Sequence, residues 1–394
     1  MKKIKVALLV DEFFGGANTR FGGYGFLARR GICQFVPNEE IQIDVLLEKN
    51  SVRHLGLTQS IKNLLSANAT KVDNVMVYRL PRLKFFRKKW LKKQNYDLYY
   101  SIELTNLSYE ILRDEPDKTK KLIFSIQDPR PKYEWDEINT MTLAKEPNYY
   151  DQETYDFVHD LAIAGRIPIW NTHAHYIVEK AKDLYNLPKL PKYVYLPNPV
   201  PIDYSFDFNK HKKKNMVIFL GRLEDVKRGW LFCETAKKCP EYEFHVLGKV
   251  NECKAGEENI FEKYKNLKNL HLEGLVDGEK KKQFLKDAKV IMVTSIHEAV
   301  QTAQLEAMAY GVVPVSNLDP DGITSEHGIW IGDVHGDGLE SVDKYANAVK
   351  KIMEDDKLRT KLAKKSIAYI RKDRDYEHWA KEVRREIKEV YEQK

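Results

Sequence analysis

The stretch that decides the fold reads SIHEAVQTAQLEAMAYG, residues 295–311. It follows directly on Val290–Thr294, a short apolar run with the length and composition of a buried strand. Residues Ala303–Tyr310 are good helix formers, and Gly311 is placed to end that helix. A buried strand that turns at once into a helix is the repeating unit of parallel α/β folds.

The same alternation of apolar runs and amphipathic stretches extends along the whole chain. Further strands are predicted at Ile4–Val10, Ile41–Leu47, Val75–Tyr78, Leu98–Ser101, Leu122–Ile126, Ile167–Trp170, Tyr193–Leu196, Met216–Leu220, Glu243–Leu247, Asn269–Leu272, Gly311–Ser316 and Ile329–Ile331. Helices are predicted at Trp230–Lys238 and Asp375–Gln393. The pattern predicts an α/β protein with doubly wound parallel sheets, which bind ligands beyond the carboxyl ends of their strands.

The length of 394 residues suggests two domains. A linker is predicted after Asn198-Pro-Val-Pro-Ile-Asp203, where two prolines precede a charged loop. We therefore predict a first domain over residues 1–203 and a second over residues 204–372. Residues 373–394 would form a final helix that crosses back to the first domain.

Composition places the chain among folded proteins, with 43% hydrophobic and 31% charged residues. The net charge is +7, but residues 51–100 alone carry 11 Lys or Arg against 2 Asp or Glu. The basic excess is therefore a local patch, and nucleic acid is not an expected partner.

The cysteines and the amino terminus indicate a reduced, cytoplasmic protein. Four cysteines occur without a CxxC pair, at Cys33, Cys233, Cys239 and Cys253. This pattern argues against zinc ribbons and disulfide frameworks and predicts packed thiols. MKKIKVALLV is interpreted as a first strand because Asp11 and Glu12 follow it at once. No stretch approaches the roughly 18–20 apolar residues of a membrane span.

Two pairs of charged side chains lie where predicted strands turn into helices. Glu298 and Glu306 frame the turn quoted above, where carboxylates can grip sugar hydroxyls beside a phosphate at a helix start. Arg222 and Lys227 follow the first strand of the second domain and can converge on an anion. By spacing alone, ordinary roles as helix-surface or solvated loop residues stay open for all four.

The order of these motifs resembles a known family. GR-x4-K opens the second domain, Gly248 follows a strand, HLEGLV ends at Val276, and S-x2-E-x7-E-A-M-A-x-G closes the series. This series is similar to that of family 4 of the retaining glycosyltransferases, which have the GT-B fold. That fold consists of two doubly wound, Rossmann-like domains facing a cleft. The resemblance covers residues 216–372 and extends more loosely to the first domain.

The resemblance implies a role for each matching residue. Arg222 and Lys227, after the turn at Gly221, would hold the donor diphosphate and neutralise the leaving group. Glu298 would contact the donor sugar, and Glu306 the ribose of the nucleotide. Backbone close to the base or the phosphates is implied at Gly248, Val276, Ala299, Val300, Gln301 and Thr302. In this family the acceptor attacks from the leaving-group face, so no Asp nucleophile is required. The resemblance implies neither a metal nor another cofactor, because cationic side chains take the metal's place at the phosphates.

The sequence departs from the family pattern directly after Glu298. Family members commonly have Gly-Phe-Gly there, whereas this chain has Ala299-Val300-Gln301. The Gln301 side chain would either read a sugar hydroxyl or narrow the donor pocket. The same glutamine stands where the HExxH motif of zinc proteases has its second histidine, which excludes that class.

The first domain contributes a glycine-rich loop and a candidate acceptor residue. GGANTRFGGYG, residues 15–25, has neither dinucleotide nor P-loop spacing, but it resembles the family's loop beside the donor phosphates. The resemblance implies phosphate contacts at Arg20, Gly22 and Gly23. A glycine-rich surface turn is the alternative. Asp128 follows a strand and would either orient the acceptor hydroxyl or act as an ordinary turn residue before proline.

The basic segment Arg79–Lys93 reads RLPRLKFFRKKWLKK, with eight cations and no acid. A helix is predicted after Pro81, with Leu83, Phe86 and Trp90 on one side. Such helices lie on anionic membrane surfaces, which would suit a lipid-linked acceptor. A core-packed helix with a solvated basic face and a site for single-stranded nucleic acid are the alternatives, and nothing else in the sequence supports the latter.

Together these features predict a cytoplasmic retaining glycosyltransferase, peripheral on the inner face of the membrane. It would move a sugar from a nucleotide-diphosphate sugar to a glycan or lipid-linked acceptor, in cell-surface polysaccharide or glycoconjugate synthesis. One alternative is a sugar-nucleotide epimerase on the same fold. The other is a non-catalytic subunit that binds sugar nucleotides. The altered loop at residues 299–301 is the only feature that supports it.

Overall fold

The computed structural model describes residues 2–15, 17, 19, 22–53, 55–106, 108–145, 148–190, 192–223, 225–249 and 261–393. Contacts divide the chain into two compact units. Unit 1 comprises Met1–Pro131, Tyr150–Pro199 and Tyr376–Lys394, and unit 2 comprises Lys132–Tyr149 and Val200–Asp375. The sequence did not predict that residues 132–149 would belong to unit 2.

Unit 1 is built on an eight-stranded sheet with the order β3-β4-β2-β1-β5-β6-β7-β8. Its strands are β1 (Ile4–Leu9), β2 (Ile41–Lys49), β3 (Asn68–Val72), β4 (Val75–Leu80), β5 (Leu98–Ile102), β6 (Leu122–Ile126), β7 (Ile169–Thr172) and β8 (Tyr193–Tyr195). Only β3 runs antiparallel to its neighbour among these strands. The sequence does not reveal this strand, because Val72 is its one buried residue and no apolar run marks it.

The helices of unit 1 lie in the connections between these strands, except for the C-terminal α14. They are α1 (Gly23–Phe26), α2 (Leu57–Leu65), α3 (Lys84–Gln94), α4 (Tyr109–Arg113), α6 (Gln152–Ile163), α7 (Ile177–Leu184) and α14 (Tyr376–Glu392), while α5 (Lys132–Ile138) belongs to unit 2. A π-helical turn, Leu27–Cys33, continues α1.

Unit 2 is built on a six-stranded parallel sheet with the order β11-β10-β9-β12-β13-β14. Its strands are β9 (Met216–Leu220), β10 (Glu243–Leu247), β11 (Leu270–Gly274), β12 (Val290–Val293), β13 (Val313–Ser316) and β14 (Ile329–Trp330). Its remaining helices are α8 (Gly229–Lys238), α9 (Gly278–Asp287), α10 (Thr302–Met308), α11 (Ile323–His327), α12 (Val342–Glu354) and α13 (Asp356–Asp373). The predicted α/β class with two doubly wound sheets is confirmed.

The amphipathic helix α14 completes the core of unit 1. Its buried positions Trp379, Val383, Ile387 and Val390 recur at helical spacing and join the same hydrophobic cluster as β1 and β2. Gly31 in the π-helical turn lies under the indole of Trp379, because a Cβ there would be 3.3 Å from the ring.

The predicted burial of the thiols is confirmed for the described cysteines. Cys33, Cys233 and Cys239 are buried and free, and Cys253 lies outside the described residues. Within the described part of the chain, no helix combines the length and apolar character that crossing a membrane requires.

Helix α3 confirms the helix predicted after Pro81, but it begins at Lys84, so Leu83 precedes it. Leu83 is 44% exposed, and the buried positions of the helix are Arg87 and Leu91. The Arg87 guanidinium donates to the buried Asp114 carboxylate (Nε–Oδ2 2.8 Å) and to the Pro81 carbonyl (2.9 Å). One of the eight cations therefore belongs to the interior, because its charge has a buried partner.

A buried glutamate on α14 makes the stability of the protein depend on pH. Burial raises the pKa of Glu386 from 4.5 to about 7, and its carboxylate accepts a hydrogen bond from the Asn171 amide (3.0 Å). The folded protein therefore holds this proton more tightly than the unfolded chain does. Its stability falls as the pH rises from about 4.5, the pKa of an ordinary glutamate, through about 7. We expect Glu386→Gln to stabilise the protein at pH 8 by up to about 3 kcal/mol and to change little at pH 4.5.

Urea unfolding of both proteins at the two pH values measures this difference. Glu389→Gln, on the same helix but with an ion pair to Lys192 near the surface, is the matched control. Equal effects of Glu386→Gln at both pH values would contradict the assignment.

Candidate functional site

The residues predicted for the donor side lie at one edge of the unit 2 sheet. Because β9, β10 and β12 are parallel neighbours, their carboxyl ends point the same way, and Gly221, Gly248 and Thr294 follow them directly. This edge is where doubly wound sheets bind ligands.

Lys227 and Glu298 form an ion pair at this edge, between Nζ and Oε1. Lys227 ends a short 3-10 turn after β9, and Glu298 lies in the loop between β12 and α10. The Ser295 hydroxyl donates to the same carboxylate oxygen (3.2 Å), and the Gln301 amide donates to the Ser295 hydroxyl (3.0 Å). Gln301 thus supports the loop that holds Glu298, a role that neither interpretation of the sequence included.

Arg228 is the fully buried side chain that holds this loop in place. Its guanidinium donates to the carbonyls of Thr294 (2.8 Å) and Ser295 (2.9 Å) in the loop after β12. It also donates to the carbonyls of Val334 (2.8 Å) and Gly336 (3.0 Å), in a second loop. Arg228 directly follows Lys227. The turn therefore positions Lys227 itself and, through Arg228, the loop that carries Glu298.

We expect Arg228→Lys to destabilise unit 2 by about 3 kcal/mol or more. A lysine nitrogen cannot reach four carbonyls in two loops, so buried acceptors would lose their donors. Urea unfolding measures the loss, and Arg385→Lys, at an exposed arginine paired with Glu382, is the control. A stability equal to that of the control would show that Arg228 does not organise the two loops.

Glycines bring the backbones of three strand ends close together. A Cβ on Gly248 would lie 1.8 Å from the Gly221 carbonyl oxygen, so only glycine fits there. Gly248 also forms a bridge to Gly274 at the end of β11, and Val276 is buried just beyond it. The predicted backbone positions therefore share one surface of bare main chain.

Glu306 is buried on α10, which corrects its interpretation as a helix-surface residue. Both carboxylate oxygens lie 3.2 Å from Lys281 Nζ on α9. Burial raises the pKa of Glu306, and the neighbouring ammonium partly offsets that rise. Ala299 and Thr302 are partly exposed, whereas Val300 is buried, and α10 ends at Met308, two residues earlier than predicted.

The residue before Glu298 is held by the 132–149 segment. His297 Nε2 lies 2.9 Å from Glu137 on α5, and the same carboxylate lies 2.5 Å from His335 Nδ1. The Asp337 carboxylate accepts from the Thr142 amide (2.9 Å). These contacts fix α5 beside the loop of Glu298 within unit 2.

The glycine-rich loop of unit 1 packs on a carboxylate. A Cβ on Gly22 would lie 2.1 Å from Glu12 Oε1, and the Gly25 amide donates to that oxygen (3.0 Å). Gly23 has open space where its Cβ would stand. Arg20 lies outside the described residues.

A second acidic group, which no motif in the sequence marks, holds Asp128 in place. Glu103 follows β5 with a left-handed φ of 52° and accepts from the amides of Gln127 (2.5 Å) and Asp128 (3.0 Å). Its burial raises its pKa to about 7. The Asp128 carboxylate lies 2.6 Å from Arg130 and 3.8 Å from Lys180, so cations of unit 1 balance its charge.

Arg222 directly follows Gly221 and is exposed on the turn after β9, at the same edge of the sheet. Three residues that were not among the candidates from sequence hold predicted residues in place within their own unit: Glu103 in unit 1, and Arg228 and Lys281 in unit 2. Weak signals could have indicated Glu103 and Arg228, whereas nothing in the sequence marks Lys281. An acidic residue directly follows the buried strand β5, and a Lys-Arg pair precedes the helix-opening Gly229.

The chain is similar to a known family over part of its sequence and to solved structures in its fold. The family described as "Glycosyl transferases group 1" matches residues 202–369. No curated protein matches the chain by sequence. Among solved structures, sucrose-phosphate synthase from Thermosynechococcus elongatus has a TM-score of 0.71 at 13% identity, with 99% of each chain covered.

Two further structures cover nearly all of this chain. Anabaena HepE in complex with UDP has a TM-score of 0.65 at 12% identity, covering 98% of this chain and 100% of its own. The α,α-trehalose-phosphate synthase (UDP-forming) from Burkholderia xenovorans, in complex with glucose-6-phosphate, has a TM-score of 0.63 at 10% identity with the same coverage. The chain therefore has the GT-B fold of glycosyltransferases throughout, and its residues 202–369 match the group 1 glycosyl transferases.

Proposed function

We propose that the chain is a family 4 retaining glycosyltransferase that uses a nucleotide-diphosphate sugar. The observation that carries the proposal is the Lys227–Glu298 ion pair at the carboxyl edge of the unit 2 sheet. The pair lies within the residues that match the group 1 family, and the buried Arg228 fixes the loop that presents Glu298. The acceptor would be a glycan or a lipid-linked sugar in glycoconjugate synthesis.

Donor binding would exchange the partners of this ion pair. The Lys227 ammonium, together with the exposed Arg222, would turn to the diphosphate, while Glu298 would accept hydrogen bonds from hydroxyls of the sugar. Glu298 is preorganised, since Ser295 also holds its carboxylate. Charge that develops on the leaving phosphate would meet cations already in place, and such preorganised stabilisation often contributes more to the rate than any other effect.

The transfer step needs no protein nucleophile. The bond between the anomeric carbon and the phosphate oxygen breaks, and the acceptor oxygen forms its bond to the same face of that carbon. The acceptor proton passes to the departing phosphate, so the configuration is retained and the charges balance. Two cationic side chains, Arg222 and Lys227, would neutralise charge on the phosphates. No step in this scheme uses a metal or another cofactor.

The nucleoside would lie beside the bare main chain at Gly248 and Val276. Glu306 would accept from the ribose hydroxyls, with Lys281 keeping its buried charge balanced. A uridine nucleotide is the first donor to test, since Anabaena HepE is bound to UDP and the trehalose-phosphate synthase is UDP-forming. Asp128 would orient the acceptor hydroxyl from unit 1.

Lys227→Ala and Glu298→Gln should each lower kcat/KM for transfer by about 100-fold or more, since each removes a group that stabilises the transferring sugar phosphate. A thermal-shift panel of nucleotide sugars identifies the donor, because a ligand at 100 times its Kd adds about 2.7 kcal/mol of stability. Transfer rates with that donor then test the two variants.

Lys237→Ala is the matched control, because Lys237 also pairs with a glutamate, Glu234 at 2.9 Å, on an exposed helix face. Full transfer by both site variants would refute the assignment. Turnover of the donor without an acceptor into an epimer would favour the epimerase instead. Binding without any turnover would favour the non-catalytic subunit.

We further propose that unit 1 rests on an anionic membrane surface through α2 and α3. Phe85 is 72% exposed and Leu57 79% exposed, on neighbouring helices. The Leu83 amide donates to the Leu64 carbonyl (3.1 Å), which joins the start of α3 to the end of α2. Cations around exposed aromatic and aliphatic residues suit a lipid headgroup region. The exposed lysines of α3 supply them: Lys84, Lys88, Lys89, Lys92 and Lys93.

The double variant Lys88→Glu/Lys92→Glu should bind vesicles containing anionic lipid at least 10-fold more weakly. Each nearby cation contributes about 1 kcal/mol at such a surface. Cosedimentation with phosphatidylglycerol vesicles, at low and high salt, measures binding. Lys361→Glu/Lys364→Glu, on an exposed face of α13, is the control and should bind normally. Equal binding by both variants would exclude this surface.

A further inference from the structure

Four polar side chains lie together on one face of the two strands β10 and β11. Glu243 and His245 alternate with the buried Phe244 on β10, and His271 and Glu273 stand two apart on β11. His245 and His271 are register partners of the parallel pair, so their side chains project from the same face at the same level. This face therefore carries two imidazoles and two carboxylates.

Three of these side chains bring metal-ligand atoms together. The rings of His245 and His271 stack with centroids 4.5 Å apart, and His271 Nε2 lies 2.6 Å from Glu243 Oε2. One ligand atom from each of Glu243, His245 and His271 lies within 4.8 Å of the other two. Donors around a tetrahedral zinc at about 2.1 Å are roughly 3.4 Å apart, so small side-chain rotations complete the geometry.

The fourth side chain orients one of the imidazoles. His245 Nδ1 lies 3.1 Å from Glu273 Oε1, and Lys280 Nζ lies 3.0 Å from the other oxygen of that carboxylate. A histidine that donates its Nδ1–H to a carboxylate presents the lone pair of Nε2 as a ligand. The Phe284 ring, centred 5.3 Å from that of His245, covers part of the site from α9.

We propose that Glu243, His245 and His271 bind a divalent first-row transition metal, with Zn²⁺ as the best match. Two imidazole nitrogens and one carboxylate suit Zn²⁺, Ni²⁺ or Co²⁺, whereas Mg²⁺ and Ca²⁺ require oxygen ligands. Water supplies the remaining coordination. The ion would lie between His271 Nε2 and the Glu243 carboxylate, while His245 keeps the Nδ1 proton that it donates to Glu273.

The proposed ion cross-links the strand at the end of the sheet. β11 is the last strand in the order of the described unit 2 sheet and pairs with β10 alone. A metal held by residues of both strands adds a bond across that ladder. Gly274 and Val276, which follow these ligands, border the proposed nucleoside position, so the ion would steady that side of the site. The proposal does not depend on the proposed function, because none of its ligands takes part in the proposed transfer.

Metal binding to the full chain, after treatment with a chelator, tests the proposal. We expect one equivalent of Co²⁺ to give the visible absorption bands of a tetrahedral nitrogen–oxygen site, Zn²⁺ to displace it, and Zn²⁺ to raise the Tm. Mg²⁺ and Ca²⁺ should leave the Tm unchanged. His271→Gln should weaken Zn²⁺ binding at least 100-fold, whereas His378→Gln, at an exposed histidine of unit 1, should bind normally.

A second variant keeps the test valid if His271→Gln fails to fold. Glu273→Gln leaves all three ligands in place and changes only the group that orients His245, so Zn²⁺ affinity should fall 10- to 100-fold. Absence of Co²⁺ bands in the wild-type chain would overturn the proposal. Retention of full Zn²⁺ affinity by either His271→Gln or Glu273→Gln would also overturn it.

Discussion

The arrangement of unit 2 depends on one buried guanidinium. Arg228 has no exposed surface, and such a charge is stable in the interior only when its donors are paired. Carbonyls from two loops provide that pairing, and they lose their own hydrogen bonds if the arginine moves. The loop of Glu298 is therefore set by an interior requirement before any ligand arrives. Preorganisation of this kind lowers the reorganisation needed when charge develops on a substrate.

Charge balance within each unit is the second theme of the molecule. Glu298 is paired with Lys227, Glu306 with Lys281, and Asp128 with Arg130. Each of these three carboxylates, all proposed to contact a ligand, thus already has a cationic partner inside the protein. A ligand must offer these groups partners at least as good, such as a diphosphate for the lysine and hydroxyls for the glutamate. Anions or sugars alone would satisfy only one side of the exchange, which favours a donor that carries both.

Apolar runs predicted most of the strands, and motif spacing singled out Lys227 and Glu298, although not that the two would pair with each other. The edge strand β3 was missed because Val72 is its one buried residue, so no apolar run marks it. Glu298 and Lys227 were found through their motifs. Arg228, Lys281 and Glu103 were not found, since each has a partner 24 or more residues away in the chain. Contacts between such distant polar residues produce no periodic pattern in the sequence. The burial of Arg87 in the basic segment was missed for the same reason, because its partner Asp114 lies 27 residues further along the chain.

The placement of α14 has a consequence for how the protein is made. Unit 1 draws its strands from the first part of the chain, yet Trp379, Val383 and Ile387 fill the core beneath them. During synthesis, the ribosome would release all eight strands and all of unit 2 before these side chains emerge. A nascent chain would therefore hold an exposed apolar surface on unit 1 throughout that interval. Chaperone capture is expected to act on that surface, because unit 2 can reach its native contacts first while unit 1 waits for its last helix.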